Sequence, residues 1–491
     1  MREGVERKSQ DNFSHELTRT NTKAIFPQRR REKEVKIDFE VLKKFNRPGP
    51  RYTSYPTAPL FSSEFTAADF TREIVETNRD ATRGISLYFH FPFCEKLCYF
   101  CGCNMMVTHD RTRISEYNEY LKKEIDLLRP MIRDERPVEQ MHWGGGTPSY
   151  LTPEEIRDIG GYIKSKFEFD DDIEASVEID PRGLTREHME AFRDAGFNRT
   201  SFGVQDFNLQ VQETINRVQS EEITRQTVEW ARELGFHSVN LDLIYGLPFQ
   251  TVNTFAETVE KVIDISPNRI AVFNYAHVPW LKKHQAVMPA EAMPSADERL
   301  AILQMSIEKL IAAGYVYIGM DHFAKPTDEL AVAQKNNTLY RNFQGYSTKS
   351  GLDVYAFGYS AISQFENIYA QNLKNLKDYY TRIDSGEAAT NVGYRMTADD
   401  HIRKETIMQL MCNLEIDKRR VESRFGIVFD EYFRDDIAKL DVFINDGLVE
   451  NMAEQISVIG SGILIIRNIA MCFDAYLEKM AKEKPVFSKT V

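Results

Sequence analysis

Ile85-Ser-Leu-Tyr-Phe-His-Phe91-Pro-Phe-Cys94-Glu-Lys-Leu-Cys98-Tyr-Phe-Cys101-Gly-Cys103 runs a β-rich segment straight into four of the chain's 6 cysteines. Ile85–Phe91 reads as a strand, and the cysteines fall in the loop that leaves it. Thiolates at spacings of four and three, with Tyr99 and Phe100 between the last two, can hold three corners of a cubane 4Fe-4S cluster. The fourth iron is then free of protein ligands and can bind substrate. A structural zinc site draws two separated ligand pairs, and no second pair follows. A disulfide framework does not suit a long acidic chain without a secretory leader, which reads as cytosolic. Cys412 and Cys472 lie in apolar surroundings and read as buried structural thiols.

Outward from this loop, residues 85–320 alternate short β-rich runs with helical patterns, which predicts repeated βα units and a parallel sheet. The predicted strands are Ile85–Phe91, Val138–Trp143, Ile173–Ile179, Thr200–Val204, Ser238–Ile244 and Ile270–Tyr275. Thr152-Pro-Glu-Glu155 is a capping box with proline in the first turn, and Ser295-Ala-Asp-Glu298 repeats the box. Ile114, Tyr117, Leu121, Ile125 and Leu128 recur at helical spacing and form one buried stripe. Gly196, Gly235 and Gly314 each stand after a helix and before an aromatic residue, where a left-handed residue closes the helix. In such a fold the chemistry sits at the carboxyl ends of the strands, which is where the cysteines begin.

The chain's 491 residues exceed what one core normally organises, and ordinary apolar content allows a globular fold. A net charge of -12 argues against a nucleic-acid partner, and no apolar run is long enough for a membrane span. An anionic substrate therefore needs a local basic lining, for which Arg51 and Lys349 are candidates. Residues 1–36 form a charged, disordered extension; 37–84 a substrate or lid segment; 85–325 the βα repeat; 326–394 a connection that completes the site; 395–491 a helical, winged-helix-like unit.

The three-cysteine spacing, with an aromatic before the last, resembles the signature of the radical S-adenosylmethionine (SAM) enzymes. In that superfamily the amino and carboxylate groups of SAM chelate the open iron, and an electron from the cluster releases a 5'-deoxyadenosyl radical. Trp143-Gly-Gly-Gly-Thr-Pro148 suits this reading, since consecutive glycines let a ligand approach main-chain donors and acceptors. Glu178, Gln205 and Asp242 stand at successive strand ends, where they can meet a ribose or an adenine edge.

Arg51-Tyr-Thr-Ser-Tyr-Pro-Thr57, the segment Cys94 to Asn104, Gly319-Met-Asp-His-Phe-Ala324 and Arg341-Asn-Phe-Gln-Gly-Tyr346 together resemble the oxygen-independent coproporphyrinogen III oxidases, from about residue 37 onward. The resemblance implies a partial (β/α)6 radical SAM barrel of the α/β class, with an N-terminal arm and a mostly helical C-terminal domain. It implies that Cys94, Cys98 and Cys101 hold one 4Fe-4S cluster, while Cys103 does not. Two SAM molecules follow from it, one met by Tyr88, Gly145, Glu178 and Ile362. Phe100, Gly146, Thr147, Gln205, Arg217, Asp242 and Ala276 hold the second. Arg217 has its own rationale, because a guanidinium grips a carboxylate at two points. His322 reads as a core histidine.

The implied activity is oxidoreductase chemistry in heme (porphyrin) biosynthesis. The ring A and B propionates of coproporphyrinogen III become the vinyl groups of protoporphyrinogen IX, with hydrogen abstraction by the SAM-derived radical. No acid or base residue is assigned. The implied partners are the substrate and a reduced flavodoxin- or ferredoxin-type donor, with a monomeric, cytoplasmic protein. The competing reading is a related heme-binding or heme-delivery protein that shares the barrel and the three-cysteine motif.

Overall fold

The computed structural model describes residues 38–79, 83–480, 487 and 490. The expected disordered extension, residues 1–36, lies outside the described residues. Six strands carry the central architecture: β1 (Ile85–Phe91), β2 (Val138–Gly145), β3 (Phe169–Ile179), β4 (Arg199–Gln205), β5 (Ser238–Tyr245) and β6 (Arg269–Asn274). They are neighbours in chain order and pair in parallel throughout. Each connection carries at least one helix, as a parallel crossover requires. The expected partial (β/α)6 barrel is therefore present.

Alternation along the strands separates two faces. In β1, Ile85, Leu87, Phe89 and Phe91 enter the main core under the helices. Ser86, Tyr88 and His90 point to the opposite, concave face. Helix Arg111–Leu128 buries the predicted stripe of Ile114, Tyr117, Leu121, Ile125 and Leu128 against that core. Trp143 is fully buried and meets Phe91 at 4.7 Å and Phe197 at 4.9 Å between ring centroids.

Local signals held where they depended on the backbone alone. Thr152 and Glu155 make the full capping box. Gly196, Gly235 and Gly314 have φ of 101°, 74° and 88°, the left-handed closure that a Cβ would disfavour. The second box forms only in part. Ser295 accepts the Glu298 amide at 3.1 Å, but the Glu298 carboxylate accepts the amide of Val252 at 3.1 Å, serving the first turn of the adjacent helix Val252–Ile265. An orphan donor on a packed neighbour competes with the local one.

The sheet continues past the barrel to 12 strands. Strand Asp353–Phe357 pairs in parallel with β1, and antiparallel strands Ile362–Gln364, Ile368–Asn372 and Thr390–Arg395 follow it outward. Two buried polar groups tie this extension down. Arg136 pairs with Asp353 at 2.6 Å, and Glu124 takes the Gly358 amide at 2.6 Å, Asn372 at 2.7 Å and the Tyr379 hydroxyl at 2.8 Å. At the other edge, β6 pairs antiparallel with His322–Ala324. The hairpin Tyr340–Asn342/Gly345–Ser347 stands apart from the sheet and meets its concave side, with Gln140 of β2 donating to Ser347 Oγ at 2.9 Å. The C-terminal part is helical with a small sheet of Glu415–Asp417, Val449–Asn451 and Gln455–Val458.

Candidate active site

The cysteine loop leaves β1 and is clamped from two sides. Lys282 Nζ donates to the Cys103 carbonyl at 2.8 Å, His284 Nε2 to that of Cys101 at 2.7 Å, and Gln285 Nε2 to that of Phe100 at 3.0 Å. From the other side, Asn216 Nδ2 donates to the Leu97 carbonyl at 2.8 Å and the Tyr99 amide to Ile215 at 3.0 Å. A loop rich in reactive thiols is thus set by side chains up to 185 positions away.

Cys98 is buried, and its sulfur meets two guanidinium groups, Arg182 Nη2 at 3.3 Å and Arg217 Nη1 at 3.6 Å. The same two arginines hold Asp180, at 2.6 Å and 3.0 Å. Burial raises the Asp180 carboxyl, but Arg217 and Arg182 outweigh it and leave the group below the usual carboxylate range. Hydrogen bonding from Cys103, whose amide lies 3.4 Å from Cys101 Sγ, pulls the Cys101 thiol down to about 6. Burial and the neighbouring thiols raise Cys94 instead. Cys412 and Cys472 are buried elsewhere and pushed up to about 12, so they are inert thiols as expected.

Among the described residues, no three His, Cys, Asp or Glu side chains converge as ligands of a single metal ion. A cubane spreads its thiolates around an extended body, so this does not count against it. The loop fits such a group on its own chemistry. Three thiols share one loop, and cationic donors already face a sulfur.

Next to the loop, Gly144, Gly145 and Gly146 form a cradle in which each side chain is excluded for a different reason. A Cβ on Gly144 would lie 2.7 Å from the Glu178 carboxylate, one on Gly145 2.8 Å from the His90 ring, and one on Gly146 2.7 Å from the Pro92 backbone. Gly145 also has φ 119°. Register then sets a polar row across the concave face, with Tyr88 opposite His142 and His142 opposite Ser176. His90 Nε2 donates to the Asn104 carbonyl at 2.9 Å, which leaves Nδ1 to accept from the Tyr88 hydroxyl at 3.0 Å. Burial alone would raise Glu178, but His142 at 3.3 Å and the Gly145 amide at 3.4 Å bring it below the usual range. Tyr88, Glu178 and Ile362 line one cavity of ≈ 200 Å³, with Gly145 bonded to Glu178 at its edge.

Residues of the second expected set are tied together in local pairs. Gln285 Nε2 reaches both the Phe100 and the Ala276 carbonyls, at 3.0 and 3.2 Å. Arg217 Nη2 donates to the Gly203 carbonyl at 2.6 Å, and a Cβ on Gly203 would touch both Gln205 and Arg217. Gln205 has φ 70° at a register shift that re-aims the end of β4. Thr147 Oγ1 accepts the Asp180 amide at 3.1 Å, and Gly146 precedes it. Asp242 takes hydrogen bonds from Ser201 and Asn240 at 2.8 Å each, yet burial pushes it up to about 6. Arg217 Nε is buried without a hydrogen-bond partner among the described residues.

His90, His142, Asp180 and Arg182 were missed by the sequence reading. The signal for the histidines was their parity, since both stand on alternate positions of otherwise apolar strands. Lys349 requires correction. It faces Glu139 and Asp172, at the amino ends of β2 and β3, so it lies on the opposite side of the barrel from the cysteines.

The comparisons with known proteins agree with this geometry. A family model described as Radical SAM superfamily matches residues 88–262, and one described as HemN C-terminal domain matches 396–465. Fold and site together therefore define a radical SAM protein. A relative from Synechocystis sp., named oxygen-independent coproporphyrinogen III oxidase, is 44% identical over 93% of this chain and 98% of its own. The relative of that name from Escherichia coli strain K12 is 44% identical over 93% of this chain and 99% of its own. A solved structure, coproporphyrinogen III oxidase (HemN) from Escherichia coli, superposes with a TM-score of 0.86 at 44% identity, covering 91% of this chain and 100% of that one. The chain belongs to the oxygen-independent coproporphyrinogen III oxidase family.

Proposed function

We propose that this chain converts coproporphyrinogen III to protoporphyrinogen IX without dioxygen, as a step of heme biosynthesis. Each of the ring A and B propionates loses a hydrogen atom, carbon dioxide and one electron, and a vinyl group remains. The observation that carries the reading is near-full-length identity to relatives named for this oxidation, on a chain whose concave face gathers the expected polar set.

In this reading Cys94, Cys98 and Cys101 hold one 4Fe-4S cluster. Tyr88, Gly145, Glu178 and Ile362 hold one SAM molecule, and Phe100, Gly146, Thr147, Gln205, Arg217, Asp242 and Ala276 a second. When bound, these groups supply hydrogen abstraction from an unactivated carbon, which no side chain here can perform. The chain's own residues position and shield. Ionised Glu178 suits a ligand ammonium, and Arg217, with a spare buried Nε, suits a carboxylate. Asp242, raised to about 6, suits a hydroxyl that shares its proton. Arg182 and Arg217 offset thiolate charge at Cys98. Val211, Ile215, Leu247, Tyr275 and Met288 pack against Tyr99 and Phe100 and shield that side of the loop.

The reading includes a flavodoxin- or ferredoxin-type electron donor, a monomeric state and a cytoplasmic location. Among the described residues no helix is long and apolar enough to cross a membrane. Anaerobic incubation with SAM, a reductant and coproporphyrinogen III tests the whole. Vinyl product with carbon dioxide and 5'-deoxyadenosine is expected. Stable heme binding with neither product would identify a carrier instead.

A further inference from the structure

One wall of the concave face carries an unbroken ribbon of aromatic rings with an arginine at each end. Arg51, from the segment before the barrel, lies with Cζ 5.5 Å over the Phe273 ring of β6. Phe273 meets His322 edge-on at 5.6 Å, and His322 meets Tyr346 edge-on at 5.4 Å. Arg341 closes the far end, with Cζ 4.6 Å over Tyr346. Four separate pieces of chain are thereby brought onto one surface.

Three buried polar atoms on this ribbon have no hydrogen-bond partner among the described residues. Arg341 is 4% exposed, and its Nε and Nη1 have no hydrogen-bond partner among the described residues. A buried guanidinium without an anion is costly, so its retention points to a ligand carboxylate. Arg51 is part-exposed and pairs with Asp321 at 2.9 Å through Nη1. His322 has Nδ1 buried and without a hydrogen-bond partner among the described residues. Burial and the charges of Arg341 and Arg51 push His322 down to about 3, which keeps it neutral. Neutral His322, packed edge-on between Phe273 and Tyr346 as a core histidine would be, still carries one ring lone pair that can accept.

We propose that Arg51, Phe273, His322, Tyr346 and Arg341 form the wall that receives the tetrapyrrole, the two arginines gripping the propionates that survive the reaction. The inference rests on the oxidase reading and names its substrate contacts. A tetrapyrrole presents pyrrole rings, inward N–H donors and peripheral carboxylates, and the ribbon offers ring edges and faces, an acceptor and two guanidinium groups in matching order. The hairpin that carries Arg341 and Tyr346 also places Asn342, Phe343 and Gln344 on the ≈ 200 Å³ cavity with Tyr88 and Glu178. Holding one side of the substrate on the ribbon therefore decides which propionates stay free to react.

The test uses the anaerobically purified, cluster-loaded chain titrated with coproporphyrin III, the fluorescent oxidised tetracarboxylate, and with a porphyrin bearing two propionates. Wild type should bind the tetracarboxylate more tightly. Arg51→Gln and Arg341→Gln should each weaken that binding by about tenfold or more and erase the preference, and Arg341→Lys should restore part of it. Variants that bind within about twofold of wild type, or a wild type that does not bind, would overturn the proposal. Should Arg341→Gln lose its cluster absorbance and fold, Arg51→Gln and Phe273→Leu decide alone. The two readings separate cleanly. Product formation with arginine-independent binding sinks the ribbon only, whereas arginine-dependent binding without vinyl product sinks the oxidase reading only.

Discussion

Replacing Arg217 by Met removes a guanidinium that performs three tasks at once. It holds Asp180 at 3.0 Å, the Gly203 carbonyl at 2.6 Å and the Cys98 sulfur at 3.6 Å, from a side chain 5% exposed. Removing one partner of a buried ion pair costs about 3–5 kcal/mol. Arg182 still holds Asp180 at 2.6 Å, which places this case at the low end of that range. The unpaired Gly203 carbonyl adds about 1 kcal/mol. A total near 4 kcal/mol corresponds to a melting shift of roughly 4 °C for a chain of this size. Arg182 also remains on Cys98, so iron and sulfide content after reconstitution should match wild type. Loss of a bidentate carboxylate grip should weaken the second SAM by about tenfold to a hundredfold. Equilibrium dialysis against SAM should then find one tight and one weak molecule per chain, and Arg217→Lys should recover part of the loss. A variant that cannot assemble its cluster would show that Arg217 serves mainly the cysteine loop. One that binds two SAM molecules like wild type would refute the carboxylate grip.

Cys98→Ala should abolish both the brown absorbance of the reconstituted protein and SAM cleavage, and retained turnover would remove the basis of the assignment. Gly145→Ala sets a Cβ 2.8 Å from His90 on a backbone with φ 119°, a strain of about 1–3 kcal/mol; SAM affinity should fall while the fold survives, as circular dichroism and dialysis would report. Asp242 is raised from 3.8 to about 6 by burial, so its contribution to stability is fully present below pH 3.8 and is lost as pH rises through 6. Asp242→Asn should therefore gain melting temperature over the ligand-free wild type as pH is raised from 5 to 7, and a pH-independent difference would contradict a buried carboxylate.

How much of this was legible in the chain depends on the range over which each signal acts. The six parallel strands, the helix caps at Thr152 and the glycine closures at 196, 235 and 314 rest on backbone preference and hydrophobic period, both local quantities. The cysteine spacing and its place after β1 are equally local, and with them the functional face was known. The grouping of Tyr88, Gly145, Glu178 and Ile362 came through resemblance, and the structure brings these residues together around one cavity.

What escaped the chain was pairing across it. Glu298 left its own capping box for a neighbouring helix, and Lys349 proved to face the wrong end of the barrel. The clamp of Lys282, His284 and Gln285 on the cysteine loop could not be read, since nothing nearby marks those side chains as donors to residues 100–103. Arg182 and Arg217 on Cys98, and the ribbon from Arg51 to Arg341, belong to the same class. Sequence determines which groups are available and on which face of their own strand or helix they stand. Only the folded sheet decides which of them meet, because a hydrogen bond or an ion pair depends on distance in space, and register and loop packing set that distance.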